Sequence, residues 1–209
     1  QFTFFALKTL VLGGTRFVGK ALIDLLANKD HEITIFTRGT RPVPPNVEHL
    51  KGDRGNLEDL RILQGRKFDL IADISGRTLV DTQSVLAMTG PPLSRFLYVS
   101  SAGVYANSNL WPLTEDAALD QKSRHIGKAE TENWLLKENI PFTSFRPTYI
   151  YGPGNYNPIE KWFFDRLMNN RPVPIPGDGS LLTQLGHVND LAHAMAKSLE
   201  YEVSINKIY

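Results

Sequence analysis

The 209-residue chain contains no cysteine, which excludes disulfide bridges, thiolate nucleophiles and cysteine-ligated zinc as sources of stability or chemistry. The absence fits a reducing compartment. Charge of one sign is also lacking: 23 Lys and Arg stand against 22 Asp and Glu, a formal net charge of +1. No global field therefore draws the chain to nucleic acid or to an anionic membrane. Long hydrophobic runs are missing too. The longest apolar pieces, such as Phe4 to Leu7 and Thr9 to Leu12, fall far short of the ~18–20 residues a spanning helix requires, so a soluble chain with no membrane partner is expected. Gln1 to Leu7 has neither a basic segment nor a small-residue cleavage site, and no signal peptide is predicted. There is no internal repeat at a period of ~20–50 residues.

What is present is ordinary globular material, 42% hydrophobic and 22% charged, in a length that suits one α/β domain better than two. Short apolar runs alternate with segments of helical period. Lys8 to Leu12 reads as a strand, and Phe17 to Leu26 places Val18, Leu22, Leu25 and Leu26 on one helix face. Further strands are predicted near Glu32 to Thr37, Val47 to Lys51, Phe68 to Asp73, Arg95 to Ser100 and Pro141 to Arg146. Helices are predicted near Leu57 to Leu63, Val80 to Met88, Arg124 to Glu138 and Val188 to Leu199. Repeated βα units with Val/Ile/Leu-rich strands argue a doubly wound parallel sheet with helices on both faces. The clusters Gly39 to Pro45, Gly90 to Pro92, Gly152 to Pro158 and Arg171 to Gly179 punctuate this pattern without dividing it. Asn206 to Tyr209 opens a further strand, and the C-terminus reads as incomplete.

The first strand runs into Gly13-Gly14-Thr15-Arg16-Phe17-Val18-Gly19 and then into the first helix, where a dinucleotide fold keeps its glycine-rich turn. Gly13 permits the tight turn and Gly19 lets the helix approach the sheet. The helix N-terminus offers unpaired N–H groups and a positive dipole to a pyrophosphate. Arg16 replaces the usual middle glycine, so its side chain must point away from the pyrophosphate or toward a further anion. At the end of the second strand, where NAD-selective folds carry Asp or Glu for the ribose 2′-hydroxyl, the chain has Arg38. A cation there favours NADP over NAD; the bland alternative is a strand-edge Arg38 in water. Between Arg38 and Lys67, Arg38, Arg41, Lys51, Arg54, Arg61, Arg66 and Lys67 outnumber Glu48, Asp53, Glu58 and Asp59. That stretch is either a solvated edge or a surface for a polyanion.

Beyond these features lie Gly52-Asp53, Ile74-Ser75-Gly76, Val99-Ser100-Ser101-Ala102-Gly103-Val104-Tyr105, Arg146-Pro147-Thr148-Tyr149-Ile150-Tyr151-Gly152-Pro153-Gly154 and His187-Val188-Asn189-Asp190. In this order the motifs resemble the extended short-chain dehydrogenase/reductase superfamily, or NAD-dependent epimerase/dehydratase family. The Gly-Gly-Thr-Arg-Phe-Val-Gly loop, Ser123-Arg124-His125 and Phe142 to Pro158 resemble its atypical branch of chloroplast stem-loop-binding proteins and their cyanobacterial relatives. The resemblance implies an NAD(P)-binding Rossmann fold over 1–209, with 151–186 the first part of a substrate-side subdomain. It also implies a chloroplast stroma or bacterial cytoplasm as location.

Carried over by position, it further implies cofactor contacts from Gly13 to Gly19, Arg38, Asp53, Ile74, Ser75, Gly76, Ser100, Lys128 and Pro147. Asp53 would take the adenine amino group, Ser101 the catalytic serine position and Lys128 the nicotinamide ribose. Active members place a tyrosine four residues before that lysine. Here Arg124 stands there, and an arginine stays protonated at any working pH, so the usual proton transfer is lost. His125, Tyr105 and Tyr149 are the candidate replacements, each with an ordinary structural alternative. His187 reads as a helix-opening turn, and no metal is expected. Two functions follow: a dinucleotide-binding protein that binds RNA, or an active nucleotide-sugar epimerase, dehydratase or reductase. Self-association stays open.

Overall fold

The computed structural model describes residues 6–29, 31–109 and 111–209. The N-terminal reading above, in residues 1–5, lies outside the described residues. The predicted apolar runs form β1 (Lys8–Leu12), β2 (Glu32–Thr37), β3 (Glu48–Lys51), β4 (Leu70–Asp73), β5 (Arg95–Val99) and β6 (Phe142–Phe145). A short strand at Lys207–Ile208 (β9), within the expected Asn206 to Tyr209, pairs with β6. These seven strands form one parallel sheet in the order β3-β2-β1-β4-β5-β6-β9. The chain is therefore a doubly wound α/β protein of the Rossmann type. Strand order reverses between β1 and β4, and in such sheets ligands bind outside the carboxyl ends of the strands at that reversal.

Successive residues of a strand face opposite sides, and here each side finds its own core. Leu10, Leu12, Ile71, Phe96, Tyr98 and Phe142 meet Leu60 and Leu63, Val85 of α3 (Leu79–Thr89) and Leu135 of α4 (Ile126–Lys137). Val11, Ile33, Ile35, Leu70, Ala72, Leu97 and Val99 meet Leu22 and Leu26 of α1 (Phe17–Ala27) and Met195 of α6 (Val188–Ser198). Leu60 belongs to the short helix α2 (Leu57–Leu60), which passes directly into a 3-10 turn at Arg61–Leu63. No helix among the described residues is long and apolar enough to cross a membrane.

Two differences from the sequence expectations have physical causes. The helix expected from Arg124 begins at Ile126. The preceding residues are held in tight turns by Ile126 N–H on Ser123 O (3.0 Å) and Lys128 N–H on His125 O (2.9 Å). The Ser123 hydroxyl accepts from His125 N–H at 3.0 Å and donates to Gly103 O at 2.5 Å, which fixes the turn. Around the Gly152 to Pro158 and Arg171 to Gly179 clusters, where no element was predicted, the chain forms β7 (Tyr149–Tyr151), α5 (Ile159–Met168) and β8 (Leu185–His187), with β7 and β8 pairing in a separate two-stranded parallel sheet. Three-residue strands carry almost no periodic signal. Helix α5 buries none of its residues, and Trp162, Phe163, Phe164, Leu167 and Met168 are exposed.

One polar cluster is sealed inside the sheet–helix layer. Glu132 of α4 is fully buried, pairs with Arg146 (2.6 Å) and accepts from the Ser144 hydroxyl at 2.6 Å. Glu132→Ala would strand a buried guanidinium and is expected to cost about 3–5 kcal/mol. A urea melt should show the midpoint falling with its slope unchanged; an unchanged midpoint would refute the assignment.

Candidate functional site

The turn after β1 has the shape a pyrophosphate needs. Gly13 sits at φ +95, reachable without strain only by glycine. A Cβ on Gly19 would lie 2.8 Å from Gly14 Cα and 2.9 Å from Gly13 O, so any side chain there would push the helix off the loop. Phe17 holds φ +49, a conformation that strains a bulky residue by about 1–3 kcal/mol and tends to occur at ligand clamps. No side chain caps the start of α1 and no acidic residue lies in its first turn, whereas Thr78 and Asp81 box the start of α3 and His187 caps α6. The N–H groups of α1 are thus left for an anion, which is the fit expected of a dinucleotide phosphate. Arg16 does not turn toward that anion. Its guanidinium stacks over the Tyr156 ring at 4.0 Å, with Phe17 edge-on to the same ring at 6.1 Å. The Arg16 side chain is thus engaged with an aromatic face.

Across the reversal point, Asp53 is exposed at the end of the β3 loop, and its Oδ1 accepts from Gly55 N–H at 2.9 Å. The next residue was read only as part of a basic stretch. Arg54 instead turns inward and forks onto Asp73 of β4, Nη1 to Oδ1 at 2.7 Å and Nη2 to Oδ2 at 2.9 Å. It also reaches Ser75 Oγ (2.8 Å) and Asp81 O (3.0 Å). Burial opposes its charge, but the Asp73 carboxylate holds the Arg54 pKa above the ordinary arginine value. Asp73 accepts from Ser75 N–H (3.1 Å) and Gly76 N–H (2.7 Å), shaping the Ile74 to Gly76 loop. Ser75 then closes on Gly13, whose Cβ position lies 3.1 Å from Ser75 Cβ.

At the carboxyl ends of β4 and β5, Lys128 donates to Gly76 O at 2.9 Å and Val99 O at 2.6 Å, bridging the two. Burial brings its pKa down to about 8, against the pull of Asp73 and Glu132. Ser100 is buried with its hydroxyl unpartnered. Ser101 caps its own turn by accepting from Gly103 N–H at 3.1 Å, and Pro147 O receives Ala102 N–H at 2.9 Å. Ser101 Oγ and His125 Nε2 both lie 3.2 Å from the point a Cβ on Gly103 would occupy, so the structure brings Ser101 and His125 to one spot. Arg124 Nε–H donates to His125 Nε2 at 3.0 Å. His125 is held below the usual histidine pKa by burial, then by Arg124, Lys128 and Arg77. Its lone pair is thereby occupied and its charged form disfavoured. The Tyr105 hydroxyl accepts from Arg146 at 3.0 Å, while Tyr149 is exposed on β7.

The basic stretch proves dispersed. Arg54 is buried, Arg61 pairs with Glu58, Arg66 forks onto Glu48, and Lys67 donates to Thr89 O. What remains exposed at the cofactor end of the sheet is Arg38, Arg41 and Lys51. His187 acts as the turn that opens α6, its Nδ1 accepting from Asn189 N–H at 3.3 Å.

A parallel sheet with a glycine turn at its reversal point defines an α/β protein of the Rossmann type. The sequence profile of the NAD dependent epimerase/dehydratase family matches residues 9–84 and 65–209, and the chain belongs to that family. It is 42% identical to the chloroplast stem-loop binding protein of 41 kDa b of Arabidopsis thaliana, over 97% of this chain and 57% of the relative. The chain thus spans little more than half of that relative's length. Among solved structures, UDP-glucose 4-epimerase of Thermotoga maritima with UDP-glucose matches at TM-score 0.79 and 18% identity, over 97% of this chain and 75% of that one. WbmG of Bordetella bronchiseptica in complex with NAD matches at TM-score 0.80 and 16% identity, over 98% and 72%. These likenesses show the fold.

The Lys128 environment makes a signed prediction. Folded Lys128 loses its proton near pH 8, and unfolded Lys128 near its ordinary 10.5. Between those values the unfolded state holds more protons, so this group's contribution to stability rises with pH across the window. Urea midpoints of wild type and Lys128→Met, compared from about pH 7.5 to pH 10, should diverge in favour of wild type. Parallel profiles would mean that Lys128 titrates normally.

Proposed function

We propose that the protein binds a nicotinamide dinucleotide without catalysing hydride-coupled proton transfer, and acts by binding stem-loop RNA. One observation carries the first half. The resemblance carries the family's tyrosine position onto Arg124, an always-protonated group whose Nε–H donates to His125 at 3.0 Å, and burial with the neighbouring cations disfavours the charged form of His125. The retained Gly13 loop, Asp53 and Lys128 support cofactor affinity without that chemistry. When bound, the cofactor would supply a hydride acceptor or donor. Gly13 to Gly19 would hold its phosphates and Lys128 its nicotinamide ribose. Ser100 and Pro147 would border that end. The RNA half is supported by the stem-loop-binding relative, and residues 151–186 would begin a substrate-side subdomain whose exposed apolar helix α5 awaits a cover. Location follows the same relative, a chloroplast stroma or its cyanobacterial counterpart.

A second reading, an active nucleotide-sugar epimerase or reductase, is favoured by Lys128, a group with a pKa of about 8 that donates to the carbonyl of Val99, the residue before Ser100. A full-length protein carrying wild-type Arg124 should bind the dinucleotide yet show no turnover of nucleotide sugars. General acid–base catalysis is worth ~10²–10⁴ in rate, so its loss is plain in a steady-state assay. Robust turnover would decide for the enzyme.

NADP is the expected partner, because exposed Arg38 follows β2 directly, where the resemblance sets the ribose 2′ group, and Arg41 and Lys51 are exposed as well. Calorimetry should give tighter binding of NADP than of NAD, and Arg38→Ala should narrow the gap by about 1–3 kcal/mol. Equal affinities unchanged by the substitution would remove the preference. RNA affinity should fall steeply with salt, each phosphate contact contributing about 0.7–0.9 to the slope. Substituting Arg41 and Lys51 should flatten that slope, whereas Arg66, already paired with Glu48, should leave it unchanged. Salt-independent binding would overturn the RNA reading.

A further inference from the structure

The family relationship does not account for Arg54. A buried ion pair is by itself a weak source of stability, since desolvation offsets most of the attraction. The pair costs a further donor here: Arg54 Nε is buried without an acceptor. What the arrangement does secure is geometry. Each partner of the guanidinium is a loop end of the crevice at the strand reversal. Asp73 ends β4, Ser75 belongs to the loop that follows it, and Asp81 O lies in the first turn of α3. Arg54 itself follows Asp53 directly. Through Ser75, which lies against Gly13, the same group reaches the phosphate turn.

The network continues to the opposite end of the site. Asp73 Oδ1 accepts from Gly76 N–H, and Gly76 O accepts from Lys128 Nζ at 2.9 Å and from the Tyr98 hydroxyl at 3.3 Å. One peptide group, Gly76, is therefore bracketed between the Arg54–Asp73 pair and the lysine. A Cβ there would fall 2.5 Å from Asp73 Oδ2, so no other residue fits between them.

We infer that Arg54 is a positioning residue for the dinucleotide: forked onto Asp73 and Ser75, it locks the adenine-side loop, the phosphate turn and the Lys128 side into one preformed crevice. Loops that are ordered before a ligand arrives do not charge their ordering entropy to binding, and a site loosened by even 1 Å loses much of its affinity. The inference rests on the dinucleotide reading above and adds to it a residue that touches no ligand.

The test is calorimetric titration of the chain with NAD and with ADP-ribose, paired with urea melts, for wild type, Arg54→Lys, Arg54→Gln and the double variant Arg54→Gln/Asp73→Asn. Arg54→Lys keeps the charge and loses the fork. It should fold and bind NAD and ADP-ribose roughly tenfold or more weakly, because the displaced loops lie on the adenosine side. The double variant removes both charges and leaves no stranded ion, so its stability should approach wild type while its affinity stays low. Affinity that recovers in step with stability, or Arg54→Lys binding within about twofold of wild type, would overturn the inference. Failure of wild type to bind NAD, NADP or ADP-ribose would overturn the dinucleotide reading itself, a distinguishable result.

A pH profile supplies a readout that packing alone would not move. Lys128 is faced by Asp73 from β4, Glu132 from its own helix, Arg77 from the turn before α3, Tyr98 from β5, His125 and Arg54. NAD affinity of wild type should decline as pH rises through about 8, where Lys128 loses its charge. Removing the Arg54 charge should move that decline to higher pH in Arg54→Gln, and Arg54→Lys should leave it in place. Coincident profiles for all three would show that Arg54 and the nicotinamide side are not coupled, and would overturn that part of the inference.

Discussion

Asp73 is a carboxylate with no exposure to solvent at the carboxyl end of a central strand, and such a charge is tolerable only when it is paired and hydrogen-bonded. The fork from Arg54 and the N–H groups of Ser75 and Gly76 meet that demand. In meeting it they determine the path of two loops and, through Ser75 and Gly13, the placement of a third. The crevice at the strand reversal is thus shaped from beneath by one desolvated ion pair.

The opposite end of the crevice is tied together locally. The residue before His125 is not on α4 at all, since the Ser123 hydroxyl holds the chain in a turn and the helix starts two residues later. Arg124 then spends its Nε–H on His125, and His125 packs on Gly103 beside Ser101. Lys128 meanwhile spans two carbonyls, those of Gly76 and Val99.

The segment from Tyr149 to His187 behaves differently from the rest. It pairs two short strands and presents an apolar helix outward, with Ile175, Leu181 and Leu182 also exposed nearby. Relatives of the family are longer than this chain, and the exposed helix lies in the part where the resemblance begins a second subdomain.

Much was determined by the sequence alone. Runs of Leu, Val, Ile and Phe with helical segments between them specified a parallel sheet with two cores, because strands buried on both faces and amphipathic helices admit few other packings. Gly13 and Gly19 marked the phosphate turn, because only glycine meets those backbone demands. The tertiary structure alone decided which charges are solvent-facing and which are internal. Arg54, Arg61 and Arg66 look alike in sequence, yet one is buried under the crevice, one makes an exposed pair with a neighbour on its own turn and one crosses to Glu48. It also decided where Arg16 points and that Arg124 precedes its helix. Those outcomes depend on partners far away along the chain, such as Tyr156 for Arg16, Asp73 for Arg54 and Gly103 for the Ser123 turn, and no local pattern of residues encodes such distances.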